Sequence, residues 1–122
     1  MPDTPINDPV ALLDRLPDDV PVEAWMLTEG AKAAPLWILT AFGRRDFRIW
    51  GNVLPNYIEF DLILGEEGWS GSERALLRAA ANLGGYPNVP VDLAELAASL
   101  DDERWDALLS GLRIRRAKLR GE

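Results

Sequence analysis

The segment from Arg44 to Trp50 combines positive charge with aromatic rings inside one short stretch, Arg-Arg-Asp-Phe-Arg-Ile-Trp. Guanidinium groups grip carboxylates and stack on planar groups, and with aromatic side chains they dominate the centres of protein interfaces. On a predicted strand, Phe47 and Ile49 share one face and Trp50 lies on the other, so we expect Trp50 to be exposed. The alternative is that Asp46 neutralises the arginines while Phe47 and Ile49 simply face the core. The segment predicts a partner-binding surface made of Arg44, Arg45, Phe47, Arg48 and Trp50.

A second cluster of positive charge lies in the last ten residues. It consists of Arg113, Arg115, Arg116, Lys118 and Arg120. Such a cluster could contact an anionic partner, either a protein or a nucleic acid. The alternative is a solvated helix end, because cations complement the dipole at a helix C-terminus. Ile114 and Leu119 interrupt the charges, so we expect this helix end to pack as well.

Residues 92–119 resemble a helix-turn-helix in their apolar spacing. In that motif the first turn of the second helix faces base edges and phosphates. Here that turn would hold Asp101, Asp102 and Glu103, which would meet phosphates with like charge. Acids at a helix start also complement the helix dipole, and the sequence favours that interpretation. A nucleic-acid-associated regulator that uses this pair and its basic end is the alternative function.

The inventory of side chains excludes several kinds of chemistry. The 122 residues include no Cys and no His, which removes disulfides, thiol nucleophiles, catalytic triads with His and most zinc sites. Neither glycine-rich nucleotide-binding motif is present. Glu59 and Asp61 would share a face on a strand, but every exposed strand face offers that spacing. We expect no cofactor, no metal and no enzymatic activity.

The net charge bears on the partner. The chain carries 13 basic and 20 acidic residues, a net charge of −7. The last ten residues hold five basic residues and one acid, so the rest of the chain carries −11. That charge suits a protein partner with a basic surface and disfavours wrapping by nucleic acid. No apolar run approaches the ~20 residues that cross a bilayer, and the first residues lack a signal-peptide pattern, so we expect a cytoplasmic protein without membrane contact.

Helices are predicted from caps and apolar stripes at 9–16, 71–83, 92–99 and 102–119. The clearest start is Ser70 with Glu73, a capping box preceded by Trp69 as a hydrophobic staple. Residues 1–7 hold two prolines and little to bury, so we expect a disordered arm before a single domain at 8–122. Trp37 and Trp105 fit apolar stripes and are expected in the core.

A sheet is predicted over residues 36–64. Alternation of Ile58, Phe60, Leu62 and Leu64 with polar residues is typical of a half-buried strand. The short apolar run at 36–40 also fits a buried strand, with one or two helical turns from Pro35 as the alternative. Strands followed by helices indicate an α+β fold, a small antiparallel sheet packed with three C-terminal helices and a short N-terminal helix.

These expectations together favour a small, acidic, non-enzymatic protein–protein interaction module. Proteins of this kind include inhibitors, immunity and antitoxin-like proteins, adaptors and phage-type regulators. The missing His and Cys, the absence of a nucleotide loop and the single Arg/aromatic segment carry this prediction.

Overall fold

The computed structural model describes residues 9–121, so the predicted arm at 1–7 lies outside the described residues. The described chain is an α+β fold with seven helices and a small two-stranded antiparallel sheet. The helices are α1 (Pro9–Arg15), α2 (Gly30–Leu39), α3 (Phe47–Trp50), α4 (Phe60–Gly65), α5 (Gly71–Leu83), α6 (Leu93–Ser99) and α7 (Asp102–Leu119). The strands are β1 (Val53–Leu54) and β2 (Tyr57–Ile58), and short 3₁₀ turns lie at Ala24–Leu27 and Thr40–Phe42.

Helix α2 is the centre of the core. Every residue from Ala33 to Leu39 is buried, and the helix packs against α1, α5 and α7. Small residues let α7 approach closely: Gly111 lies against Ile38, and a methyl group added to Gly111 would sit 2.7 Å from two Ile38 carbons. The other elements are arranged around this central pair of helices.

The strand predicted at 36–40 is wrong, because these residues belong to α2 and the 3₁₀ turn that follows it. A helix that is buried on all sides shows no polar face, so its sequence reads as a plain apolar run. The helix begins at Gly30, and the Glu29 carboxylate accepts a hydrogen bond from the backbone N–H of Ala31 at 3.3 Å. The alternative of a helix was correct, although helix α2 begins at Gly30 and not at Pro35.

The predicted sheet at 36–64 shrinks to a hairpin of four paired residues. Val53 pairs with Ile58 and Leu54 with Tyr57, around a turn at Pro55 and Asn56. The remainder of the predicted meander consists of helices α3 and α4. The fold class is therefore as predicted, but most of the residues assigned to strands are helical.

The alternating strand predicted at 58–64 is wrong beyond Ile58. Phe60 and Ile63 are buried three residues apart, which is helical spacing, and Leu62 is 56% exposed. Glu59 and Asp61 consequently lie at the start of α4 and not on one strand face. Acids at that end complement the helix dipole.

The helices predicted from caps are confirmed. The capping box of α5 is formed as predicted: Ser70 Oγ accepts from the Glu73 N–H at 3.1 Å, and Glu73 Oε1 accepts from the Ser70 N–H at 2.8 Å. Trp69 before the cap is buried, and its indole N–H donates to the Ile63 carbonyl at 2.8 Å. The side chains of Asp92 and Asp101 cap α6 and α7 by accepting hydrogen bonds from the backbone N–H groups of Glu95 and Arg104.

No helix among residues 9–121 is both long and apolar enough to cross a bilayer.

Candidate functional site

The segment from Gly43 to Trp50 forms a tight corner after α2. Gly43 has φ 89°, a left-handed conformation that a side chain would strain, and it turns the chain away from the core. The Asp46 side chain then caps α3 by accepting from the Arg48 N–H at 3.1 Å. The indole N–H of Trp50 donates back to the Gly43 carbonyl at 2.6 Å, which closes the corner on itself.

Arg48 fastens this corner to the rest of the molecule. Its guanidinium makes a two-pronged contact with Asp46, at 3.0 Å from Nε and 2.8 Å from Nη2. It also lies 3.7 Å above the ring of Trp69 and donates to the Glu67 carbonyl at 3.2 Å. The hydrogen bond to Asp46 raises the pKa of Arg48 further above its ordinary value. Arg48 therefore holds the corner in place, and its charge is already paired with Asp46.

Phe47, and not Trp50, is the exposed aromatic residue of the segment. Phe47 is 81% exposed, whereas Trp50 is 8% exposed. The prediction for Trp50 is wrong because it assumed strand periodicity. On the four-residue helix α3, Ile49 and Trp50 share the buried side and Phe47 is turned outward. The alternative in which Phe47 faces the core is wrong for the same reason.

Phe47 stands at the edge of a groove of about 550 Å³, here called the Phe47 groove. Its lining comprises Pro17, Asp18, Asp19, Arg44, Arg45, Phe47 and Trp50. Four of the five predicted partner-binding residues thus meet in one concave surface, and Arg48 lies behind it. Sequence reasoning missed Pro17, Asp18 and Asp19. Their residue types indicated only the end of α1, and nothing local showed that the fold brings them to α3.

The Phe47 groove carries charges of both signs. Arg44 is partly committed, because its Nη2 donates to the Asp14 carbonyl at the end of α1 at 2.6 Å. Arg45 is exposed and has no hydrogen bond or ion pair with another described residue. Asp18 and Asp19 are exposed and line the same groove. The predicted positive segment therefore becomes, in the fold, part of a groove whose rim carries charges of both signs.

The basic residues near the C-terminus do not form one patch. Lys118 and Arg115 are half-buried beside Gly30, at the start of α2. Arg113 and Arg116 are exposed on the opposite side of α7, together with Arg120. The structure thus divides the predicted secondary contact into a packed pair and an exposed group.

The predicted helix pair at 92–119 is present as α6 and α7, joined through Leu100 and Asp101. Asp101 Oδ1 accepts from the Arg104 N–H at 2.8 Å, so it acts as a helix cap. Asp102 and Glu103 in the first turn of α7 are exposed. Trp105 is 36% exposed, which corrects its predicted place in the core. Trp37 is buried as predicted.

Two further polar groupings serve packing. Arg15 donates to Thr40 Oγ1 at 2.9 Å and stacks 4.4 Å from the Trp37 ring, and burial lowers its pKa. The hydroxyls of Tyr57 and Tyr86 lie 2.6 Å apart. The pKa of Tyr86 is raised, mainly because its hydroxyl is partly buried and to a smaller extent because it is hydrogen-bonded to Tyr57. Within residues 9–121, no group of three or more carboxylates is arranged to hold a metal ion.

Comparisons with protein-family models, with curated proteins and with solved structures found no match to this chain.

Proposed function

We propose that this protein is a non-enzymatic protein–protein interaction module that binds its partner through the Phe47 groove. One observation carries the proposal: Phe47 is 81% exposed on a corner of the chain that contacts of Asp46, Arg48 and Trp50 hold in place. An exposed ring on a rigid support loses little conformational freedom on binding, so burying it can stabilise a complex by about 1.5–3 kcal/mol.

The rim of the Phe47 groove indicates the chemistry of the partner segment. A complementary segment would cover the Phe47 ring with apolar side chains, place a carboxylate near Arg45 and place a cation near Asp18 and Asp19. The net charge of −7 adds long-range attraction for a partner whose surface is basic overall. Arg45 is the better of the two arginines to mutate. It has no ion pair or hydrogen bond within residues 9–121, whereas Arg44 holds the end of α1.

The test is affinity capture with three versions of the tagged protein. They are the wild type, Phe47→Ser, and Leu62→Ser as a matched control, because Leu62 is 56% exposed on α4. The lysate of the source organism is divided and one half is treated with nuclease. We expect one stoichiometric protein partner that survives nuclease, disappears with Phe47→Ser and persists with Leu62→Ser.

Two results would overturn the proposal. Capture of the same partner by Phe47→Ser would remove the Phe47 groove as the binding surface. Recovery of nucleic acid, with protein partners lost after nuclease, would favour the regulator that uses α6 and α7. That regulator would also show a steep dependence of affinity on salt, because phosphate contacts release counterions.

A further inference from the structure

Helix α7 has two apolar faces, and the other elements within residues 9–121 cover only one of them. Its buried face is formed by Ala107, Leu108, Gly111, Ile114 and Ala117, and packs chiefly on α2. On the outward side, Trp105 is 36% exposed, Leu112 44% and Leu119 70%. A single helix against solvent normally shows a polar outer face.

The exposed apolar residues of α7 recur every seven positions. Trp105, Leu112 and Leu119 are spaced by seven, and half-buried Leu109 lies between the first two. Residues seven apart lie nearly above one another on a helix, so these side chains form a stripe, here called the α7 stripe, which Arg116 interrupts between Leu112 and Leu119. The 18 residues of α7 give it a length of ~27 Å. This is the pattern of a helix that packs against another helix.

The charges beside the α7 stripe indicate what that other helix is. The first half of the outward side is acidic, with Asp102 and Asp106, and the second half is basic, with Arg113 and Arg116. All four side chains are exposed, and none forms an ion pair with another described residue. Two such helices in parallel would place like charges together. In antiparallel order, each acidic half lies beside the basic half of the other helix.

We propose that the α7 stripe from Trp105 to Leu112 is the interface of a homodimer in which two copies of α7 pack antiparallel about a two-fold axis near Leu109. Leu119 then lies beyond the start of the second α7, level with the end of its α6. Trp105 then packs against Leu112 of the second copy, and Asp102 faces Arg116 of the second copy. In antiparallel helix pairs the same flank of each helix meets, so every contact occurs twice and the surface is complementary to itself.

A shallow groove next to the stripe extends the interface. It has a volume of about 300 Å³ and is formed between α5, α6 and α7 by Leu83, Val91, Leu93, Leu96, Leu108 and Leu112 among others. Leu93 at its edge is 75% exposed. An interface made of one helix pair and this neighbouring groove is small, so we expect a dissociation constant in the micromolar range. This interface is separate from the Phe47 groove and does not depend on its role.

The experiment is sedimentation-velocity ultracentrifugation over a wide range of protein concentrations. We expect the wild type to change from the monomer mass of 13.5 kDa to twice that mass as concentration rises. Leu112→Glu should remain monomeric at every concentration, because it buries a carboxylate on the two-fold stripe. Leu62→Glu, an exposed leucine on α4, is the matched control and should dimerise like the wild type. Circular dichroism checks that each variant is folded.

A charge exchange tests the antiparallel arrangement. Arg116→Asp should weaken the dimer by at least ~10-fold, because Asp102 of the second copy would then face another acid. The double variant Asp102→Arg with Arg116→Asp should restore the affinity, since opposite charges meet again.

A wild type that stays monomeric would overturn the proposal and leave the stripe to a different partner. Dimerisation of Leu112→Glu at wild-type strength would place the interface elsewhere, and failure of the double variant to recover would contradict the antiparallel order.

Discussion

Gly111→Ala should destabilise the protein, although alanine is the better helix former. In an exposed helix interior this change stabilises by about 1 kcal/mol. At Gly111, however, the added methyl group would lie 2.7 Å from both Cδ1 and Cγ1 of Ile38 and 3.2 Å from the Ala34 carbonyl oxygen. Carbon atoms in contact prefer about 3.5–4.0 Å, so α2 and α7 must separate by about 1 Å or Ile38 must leave its rotamer.

The expected change in the free energy of unfolding is the steric cost of the added methyl group minus the gain in helix propensity. Forcing extra methylene groups into a packed core costs about 1–3 kcal/mol. Ile38 is fully buried in the centre of the core, and the third contact is with backbone, so we expect a cost at the upper end of that range. After the gain in helix propensity, the free energy of unfolding should fall by about 1–2 kcal/mol.

Urea unfolding followed by circular dichroism measures this change. Gly71→Ala is the matched control, because nothing lies within 4 Å of a methyl group at that helical position, and its stability should not decrease. A double-mutant cycle with Ile38→Ala separates the clash from other effects: in that background Gly111→Ala should cost clearly less, because only the 3.2 Å contact with the Ala34 carbonyl oxygen remains. Stabilisation by Gly111→Ala in the wild-type background would refute the close approach of α2 and α7.

Three further predictions concern individual contacts. Ser70→Ala removes the capping oxygen of α5 and should lower the free energy of unfolding by about 1 kcal/mol in urea titrations. Trp50→Phe leaves the Gly43 carbonyl without its indole donor and should cost about 1 kcal/mol in the same assay, with a near-ultraviolet dichroism change as a second readout. Folding raises the pKa of Tyr86 above its ordinary value of 10.0, so its contribution to stability is complete below pH 10 and declines at higher pH as the unfolded state loses its proton first. Unfolding midpoints of Tyr86→Phe should therefore fall less between pH 9 and pH 11 than those of the wild type, and equal declines would contradict this assignment.

The parts of the fold that were predictable are those with local determinants. Asp101 and the Ser70–Glu73 box define helix starts within four residues, so α5 and α7 were placed correctly from sequence. The fold class was also predicted correctly, because a small antiparallel sheet does form within the predicted region 36–64, although it is limited to residues 53–58. Such features depend on neighbours along the chain and not on distant packing.

The parts that failed depend on tertiary position. Residues 36–39 form a helix surrounded by other helices, and a run that is buried on every side has no periodicity to distinguish helix from strand. The same ambiguity made the predicted exposures of Phe47 and Trp50 wrong. Helix α3 is only four residues long, too short for its sequence to show a helical period. Asp18 joined the candidate site through a fold-level contact that no local pattern contains.

The role of Phe47 in partner binding is tested most directly by the affinity of the purified protein for its purified partner, measured by titration calorimetry. Loss of a central aromatic anchor typically costs about 2 kcal/mol or more, which is a factor of roughly 30 in the dissociation constant. We predict that Phe47→Ser weakens binding by at least that factor while its urea midpoint stays at the wild-type value, because the ring is 81% exposed. Leu62→Ser should bind like the wild type. Wild-type affinity of the folded Phe47→Ser protein would contradict the account.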